Sequence, residues 1–154
     1  MKDLAVLLDT NLLILFVVGM TSREYIDKHK KLTAFNTEDY DELVKIVGRA
    51  KEVFVTPNTL TETSNLAAYI GEPARGEVFR ALQSLIVNSK EIHVPSSTAA
   101  ERAEFIRLGL TDAALIEASS QDTVMLTTDL DLYLAVISSG SEAINFNHLP
   151  HRNM

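Results

Sequence analysis

Short apolar runs alternate along this chain with longer segments of helical pattern, and this alternation is the feature that most limits its fold. The runs are rich in β-branched residues and bounded by Asp, Pro or Ser, which is typical of strands buried in a parallel sheet. They occupy residues 4–8, 53–56, 92–94, 124–127 and 143–146. The helical patterns lie near residues 11–19, 38–50, 59–70, 74–88, 96–107, 112–120 and 130–138. A β-then-α order predicts an α/β domain with helices on both faces of the sheet.

The length of the chain, 154 residues, fits one domain of ordinary size. We expect a single domain over residues 1–148 and a short C-terminal tail over 149–154. The His-x-x-His pattern of His148 and His151 could bind a metal, but near a chain end we expect a loose tail. The stretch 19–36 is ambiguous, since its pattern allows another helix or a mobile arm.

The absence of cysteine excludes disulfides, thiolate zinc sites and thiol catalysis. It suits a reducing cytoplasm. The longest uninterrupted apolar run, from Leu12 to Val18, is much shorter than the roughly 20 residues that span a bilayer. Asp9 interrupts the apolar N-terminal stretch, which disfavours a signal peptide. We therefore expect a cytoplasmic protein without a membrane anchor.

The net charge of −7 has the wrong sign for a protein that grips nucleic acid mainly through phosphates. A carboxylate metal site would account for part of this charge, because bound cations cancel it. A local basic patch would then matter more than the total. One candidate patch contains Arg23, Lys28, His29, Lys30 and Lys31; taken singly, each is better explained as part of a solvated surface.

Four acids stand just after predicted strands or at predicted helix starts: Asp9, Glu62, Asp112 and Asp129. Each has a structural explanation of its own. Asp9 and Asp129 suit helix N-caps, Asp112 would complement a helix dipole, and Glu62 with Thr59 fits a capping box. Ligand crevices of α/β sheets, however, lie beyond the carboxyl ends of the strands. If the four carboxylates meet there, their mutual repulsion calls for a cation, and hard Mg²⁺ or Mn²⁺ prefers such oxygen ligands.

The motifs around these acids resemble the PIN-domain family over nearly the whole chain, from Leu4 to about Phe146. The pieces that carry the resemblance are Leu8-Asp9-Thr10-Asn11, Gly109-Leu110-Thr111-Asp112-Ala113-Ala114 and Leu126-Thr127-Thr128-Asp129-Leu130-Asp131, with Glu62 between the first two. The resemblance implies a three-layer α/β/α sandwich with a parallel sheet of order 3-2-1-4-5. It also implies a metal-dependent endonuclease, usually acting on RNA, whose products carry a 5′-phosphate and a 3′-hydroxyl.

The same resemblance assigns roles to individual residues. Asp9, Glu62, Asp112 and Asp129 match the acidic quartet, Asp131 an additional acid, and Asn11 and Thr128 polar positions that support the ligands. We expect Asp9 and Asp129 to be the principal ligands of Mg²⁺ or Mn²⁺ and Asp112 to bind a second ion or position a ligand water. Glu62 would bind a metal-bound water or act as general base. The stretch between Gly19 and Glu52 is longer than in compact members of the family.

Within the family, the toxin of a VapBC-type toxin–antitoxin pair competes with a stand-alone RNA-processing nuclease. The toxin alternative implies an antitoxin partner and a homodimer. The non-catalytic alternative is a PIN fold that only binds RNA or a protein.

A two-component receiver domain is a structural alternative. It needs an Asp after strand 3 and a Lys after strand 5. Here Pro95-Ser96-Ser97 follows the third predicted strand, and no Lys follows Lys90.

Overall fold

A computed structural model describes residues 4–152 of the chain as an α/β/α sandwich around a five-stranded sheet. The strands are β1 (Ala5–Leu8), β2 (Val53–Val55), β3 (Lys90–Glu91), β4 (Thr123–Thr127) and β5 (Glu142–Asn145). All pairs are parallel and the order is β3-β2-β1-β4-β5, so the predicted fold class and strand order are confirmed.

Eight α-helices connect and cover these strands within the described residues. They are α1 (Thr10–Thr21), α2 (Thr37–Arg49), α3 (Pro57–Ala67), α4 (Ala74–Asn88), α5 (Ser96–Ala100), α6 (Phe105–Leu108), α7 (Leu110–Ala118) and α8 (Leu130–Ser138). None of the helices between residues 4 and 152 is long and apolar enough to cross a bilayer.

Side chains of the central strands alternate between two hydrophobic clusters, one on each face of the sheet. Val6 and Leu8 of β1 face the cluster formed with α1, α2, α3 and α4, whereas Leu7 faces the cluster formed with α7 and α8. In β4, Val124 faces the same cluster as Val6, and Met125 faces the same cluster as Leu7. Because the period of a strand is two residues, apolar runs without polar alternation require helices on both sides of the sheet.

Two predicted elements differ from the observed ones. The predicted third strand at 92–94 lies after β3, since the apolar residues Ile92 and Val94 pack against the core while pairing occurs mainly at the exposed Lys90 and Glu91. The predicted helix 96–107 is broken into α5 and α6. Arg102 lies in the break, where its guanidinium binds the carboxylates of Glu104 and Glu117.

The stretch between α1 and α2 is neither a further α-helix nor an arm detached from the domain. It forms a 3-10 turn at Arg23–Tyr25 and continues in turns that bury Ile26, His29 and Leu32. The His29 ring donates from Nε2 to the carbonyl of Ala67 at 3.3 Å. Periodicity missed this stretch because irregular turns anchored by three isolated side chains have no repeating apolar pattern.

The described part of the C-terminal tail is folded against the domain, so the expectation of a loose tail is wrong for it. Pro150–Arg152 forms a 3-10 turn. His151 Nε2 lies 2.8 Å from Asp39 Oδ1, and Arg152 donates from Nε to Oδ1 and from Nη2 to Oδ2 of the same carboxylate. We call Asp39, His151 and Arg152 the C-terminal clasp. Residues 153 and 154 lie outside the described part.

Candidate functional site

Asp9 directly follows β1 and is held on both sides of its carboxylate. Oδ1 accepts a hydrogen bond from the backbone N–H of Leu12 at 3.1 Å, which caps α1. Oδ2 accepts from the Thr127 hydroxyl and from the backbone N–H of Thr128 at 3.3 Å. Only 7% of Asp9 is exposed. Burial raises the pKa of Asp9 above its ordinary value despite these donors, and the nearby Asp129 adds to the rise.

Asp129 occupies the corresponding position after β4, the strand that pairs with β1. Its Oδ1 accepts from the backbone N–H groups of Asp131 at 2.8 Å and Leu132 at 3.1 Å, which caps α8. Thus the N-cap interpretation is correct for both Asp9 and Asp129. It does not compete with a functional role, because capping uses only one oxygen of each carboxylate.

Glu62 lies in the second turn of α3, since that helix begins at Pro57. The predicted capping box of Thr59 with Glu62 is wrong, because Thr56 is the N-cap and its partner is Thr59. Glu62 instead receives two hydroxyl donors from other elements. Thr10 of α1 donates to Oε1 at 3.2 Å, and Thr111 of α7 donates to Oε2. The carboxylate therefore has a defined orientation although the residue is exposed.

Asp112 stands in the first turn of α7 and is partly buried. Its pKa is raised to about 6, first by burial and then by the negative charges of Asp129, Asp9 and Glu62. A carboxyl group responds to its neighbours in this way only if they lie close to it across little solvent. The negative charges of the other three acids therefore act on Asp112.

The quartet surrounds one cleft of about 170 Å³, which we call the acidic cleft. Its lining consists of Asp9, Thr10, Asn11, Glu62, Leu66, Asp112, Asp129 and Leu132. The cleft lies at the carboxyl ends of β1 and β4, where the sheet order reverses direction. This is the place at which open α/β sheets commonly bind ligands.

Three further residues expected at the site have smaller roles in this geometry. Asp131 is exposed, is absent from the cleft lining, and contributes its backbone N–H to Asp129. Asn11 lines the cleft, but within residues 4–152 its side chain has no hydrogen bond to a carboxylate. Thr128 supports Asp9 through its backbone N–H and not through its hydroxyl.

The hydroxyl groups that do support the acids belong to Thr10, Thr111 and Thr127. Sequence reasoning did not select them as supporting residues. A usable signal was present, because each stands next to or two residues from a candidate acid in the chain. A hydroxyl close in sequence to a carboxylate is a weak indication, however, since the partner of Thr10 or Thr111 is Glu62, roughly 50 positions away.

The donor set of the acidic cleft fits a hard divalent cation in its chemistry. It offers carboxylate oxygens and no thiolate, and the negative charges of the other acids add to the effect of burial in raising the pKa of Asp112. Among residues 4–152, no group of three or more Asp, Glu or His side chains is already gathered as a metal site.

The candidate basic patch is not assembled. Arg23 pairs with Asp41 at 2.8 Å and His29 is buried, so two of its five members are engaged elsewhere. Lys28, Lys30 and Lys31 remain exposed.

A separate cavity of about 450 Å³ lies between α3 and α4. It is lined mostly by apolar side chains, including Phe79 and Val87, and none of the four acids lines it.

Comparison with known proteins gives no match to a protein-family model, a curated protein or a solved structure. The resemblance to PIN domains therefore stays a prediction from the three sequence motifs and the position of Glu62.

Proposed function

We propose that this protein is a Mg²⁺- or Mn²⁺-dependent endoribonuclease of the PIN type, with the acidic cleft as its active site. The observation that carries the proposal is the convergence of Asp9, Glu62, Asp112 and Asp129 around one cleft, although they are spread over four different elements of the chain. Four acids at one sheet edge repel one another and destabilise a fold unless a cation neutralises them, and such an arrangement is typical of functional sites.

In this proposal Asp9 and Asp129 would hold the cation, and Asp112 would hold a second ion or position a water. When bound, the cation neutralises charge on the phosphodiester and makes a neighbouring water more acidic. Thr127 fixes the position of Asp9 relative to Asp129. Its hydroxyl donates to the Asp9 carboxylate and accepts from the backbone N–H of Asp129.

Glu62 is proposed as the general base. Its carboxylate takes a proton from the attacking water while the water oxygen bonds to phosphorus and the bond from phosphorus to the 3′ oxygen breaks. The leaving oxygen gains a proton from solvent, which gives a 3′-hydroxyl and a 5′-phosphate. Thr10 and Thr111 hold the Glu62 carboxylate at the rim of the cleft for this task.

The test is cleavage of a mixed-sequence RNA by the purified protein in Mn²⁺ or Mg²⁺. EDTA and the Asp9→Asn variant should both abolish cleavage, and the Asp27→Asn variant should not, because Asp27 is exposed and lies outside the cleft lining. The products should carry 5′-phosphates. Cyclic phosphate ends, or cleavage that survives EDTA, would contradict the proposed chemistry.

A catalytically inactive module that binds RNA or a protein is the second candidate. It is favoured by the absence of a gathered metal site within residues 4–152. Failure to cleave any RNA, together with no Mn²⁺ binding by calorimetry, would select this candidate.

As a nuclease, the protein would act in the cytoplasm either as the toxin of a VapBC-type pair or as a stand-alone RNA-processing enzyme. The toxin form would be a homodimer inhibited by an antitoxin that covers the acidic cleft. Expression of the protein with and without the product of the adjacent gene distinguishes these alternatives. Only a toxin should arrest growth when expressed alone, and co-expression of the adjacent gene should restore growth.

A further inference from the structure

We propose that the pocket beside the acidic cleft on the Lys31 side binds one nucleotide of a single-stranded RNA, with a phosphate at the Lys31 ammonium group. This inference rests on the proposed nuclease function, because it assigns a substrate subsite to the same active site. The pocket has a volume of about 340 Å³ and we call it the Lys31 pocket. Its lining consists of Asn11, Lys31, Thr33, Ala34, Phe35, Thr128, Asn147 and Arg152.

The first argument is position. Asn11 lines both the Lys31 pocket and the acidic cleft, so the two spaces adjoin. A third, shallower pocket of about 290 Å³ shares Glu62 with the cleft. Asn58, Thr61 and Thr111 line it. The three spaces are therefore linked through Asn11 and Glu62, and one strand bound in the cleft would touch its neighbours.

The second argument is charge. The four acids repel the RNA phosphates on either side of the scissile one. A positively charged side chain beside the cleft would offset this repulsion and favour RNA binding. Arg152 does not supply it, because the Asp39 carboxylate neutralises its guanidinium. Lys31 is exposed, and no carboxylate among residues 4–152 lies within ion-pair distance of it. Its ammonium instead lies 4.4 Å from the centroid of the Tyr69 ring.

The third argument is that the pocket wall is built in advance. Asn147 donates from its side chain to the carbonyl of Thr128 at 3.1 Å, and Arg152 donates to Asn147 Oδ1 at 2.9 Å and to the carbonyl of Ala34 at 3.1 Å. The C-terminal clasp fixes Arg152 in turn. A wall ordered before binding spares the substrate the entropy cost of ordering it.

The fourth argument selects a single strand. A volume near 340 Å³ lies at the lower end of pockets that hold small ligands, so it accommodates one nucleotide unit. A paired and stacked base cannot enter a pocket, whereas the bases of single-stranded RNA are free to turn outward. Asn11 offers its amide group to the edge of such a base, and Phe35 offers an aromatic ring.

The experiment measures binding of a fluorescein-labelled, mixed-sequence, single-stranded RNA by anisotropy in EDTA, over a series of salt concentrations. Loss of one phosphate contact should weaken binding by roughly fivefold near 0.1 M salt and reduce the slope of log K against log salt by about 0.7. We expect this for Lys31→Ala. Lys31→Arg, which keeps the charge, should restore most of the affinity. A duplex of the same sequence should compete poorly.

Lys30→Ala is the matched contrast. Lys30 is the exposed neighbour of Lys31 and carries the same charge, but it does not line the pocket. Its replacement should change affinity by less than about twofold, as expected for an exposed, screened charge that does not contact the bound strand. Equal losses for the two variants would overturn the proposal in favour of a diffuse basic surface. No detectable RNA binding by the wild-type chain, or equal binding of duplex RNA, would also overturn it.

Cleavage in Mn²⁺, measured in parallel, keeps this proposal separate from the nuclease function. RNA binding that depends on Lys31 without any cleavage would leave the pocket standing and reject the nuclease. Cleavage that Lys31→Ala and Lys30→Ala affect equally would leave the nuclease standing and reject the pocket.

Discussion

The hydroxyl of Thr127 donates a hydrogen bond to the buried carboxylate of Asp9 and accepts one from the backbone N–H of Asp129 at 2.9 Å. One side chain at the end of β4 therefore ties the end of β1 to the start of α8. Because Thr127 is itself completely buried, both of these bonds are shielded from water.

We expect Thr127→Val to destabilise the protein by about 1–3 kcal/mol, since it leaves a buried carboxylate without one of its donors. Valine has nearly the shape of threonine, so packing changes little. Urea unfolding would measure the loss, and the activity assay should show a parallel fall in cleavage because Asp9 is no longer held.

Thr63→Val is the matched control. Thr63 is equally buried, but its hydroxyl oxygen has no hydrogen-bond partner within the described residues. Removing an unsatisfied buried hydroxyl should leave the free energy of unfolding unchanged or raise it. If both variants lost the same stability, the bond from Thr127 to Asp9 would not be the cause.

Asp112→Asn should raise the stability of the metal-free protein at pH 7 while it abolishes cleavage. The pKa of Asp112 is raised from 3.8 to about 6, first by burial and then by its acidic neighbours, so the fold loses stability as the pH rises between these values and the full penalty is present at pH 7. Allowing for solvent screening, the gain should be about 1–2 kcal/mol, or roughly 2–8 °C in Tm.

The control for this prediction is Asp27→Asn, which makes the same change of charge at an exposed position. It should shift Tm far less. Added Mn²⁺ should stabilise the wild type more than Asp112→Asn, because a ligand stabilises the fold that binds it. A lower Tm for Asp112→Asn than for Asp27→Asn in EDTA would show that Asp112 is not strained by its neighbours.

The central strands and the acids were predictable because their signals are local. β1 and β4 are apolar without alternation, and Asp9 and Asp129 follow them directly. The strand order came from the family resemblance, since no property of a single strand specifies its neighbour. Once that order is given, the meeting of Asp9 and Asp129 follows from geometry.

Other parts of the molecule depend on contacts that leave no local pattern. Asp39 and Arg152 are 113 positions apart, and nothing in either neighbourhood indicates the pairing. The same holds for Thr111 and Glu62. The predicted position of β3 was wrong by two residues, because the buried residues at this edge of the sheet are not the paired ones. Ile92 and Val94 pack against the core, whereas Lys90 and Glu91 pair with β2.

The C-terminal clasp predicts a specific acid sensitivity. Burial alone would raise the pKa of Asp39, but hydrogen bonds from Arg152, the backbone of Asn36 and His151 hold it below its ordinary value of 3.8. A carboxylate with a depressed pKa stabilises the fold above pH 3.8, and this contribution is lost as the pH falls through the lower, folded value.

Asp39→Asn should therefore cost about 2–4 kcal/mol at pH 7, because it leaves the guanidinium of Arg152 without its counter-charge. The difference from wild type should shrink as the pH is lowered from about 5 to 2. Asp41→Asn, which breaks only the exposed pair with Arg23, should cost less than about 0.5 kcal/mol at every pH. If the difference in the free energy of unfolding between Asp39→Asn and wild type stayed constant from about pH 7 to 2, titration of Asp39 would not be the source of the acid sensitivity.

Two helical glycines should respond in opposite directions to replacement by alanine. A Cβ at Gly19 of α1 would lie 2.2 Å from the nearest atom of the Tyr40 ring, whereas a Cβ at Gly48 of α2 would meet nothing within 4 Å. Alanine at an open helical position gains roughly 0.5–1 kcal/mol of helix propensity. Gly48→Ala should therefore be stabilising.

Gly19→Ala has the same propensity gain but must displace the ring of Tyr40, which packs against the main core and lies 6.5 Å from the Phe16 ring, centroid to centroid. Overpacking of this kind costs about 1–3 kcal/mol, so the variant should be destabilised on balance. Urea unfolding of both variants measures the contrast. Combining Gly19→Ala with Tyr40→Leu should recover part of the loss, and failure to do so would place the strain elsewhere than at the contact between α1 and α2.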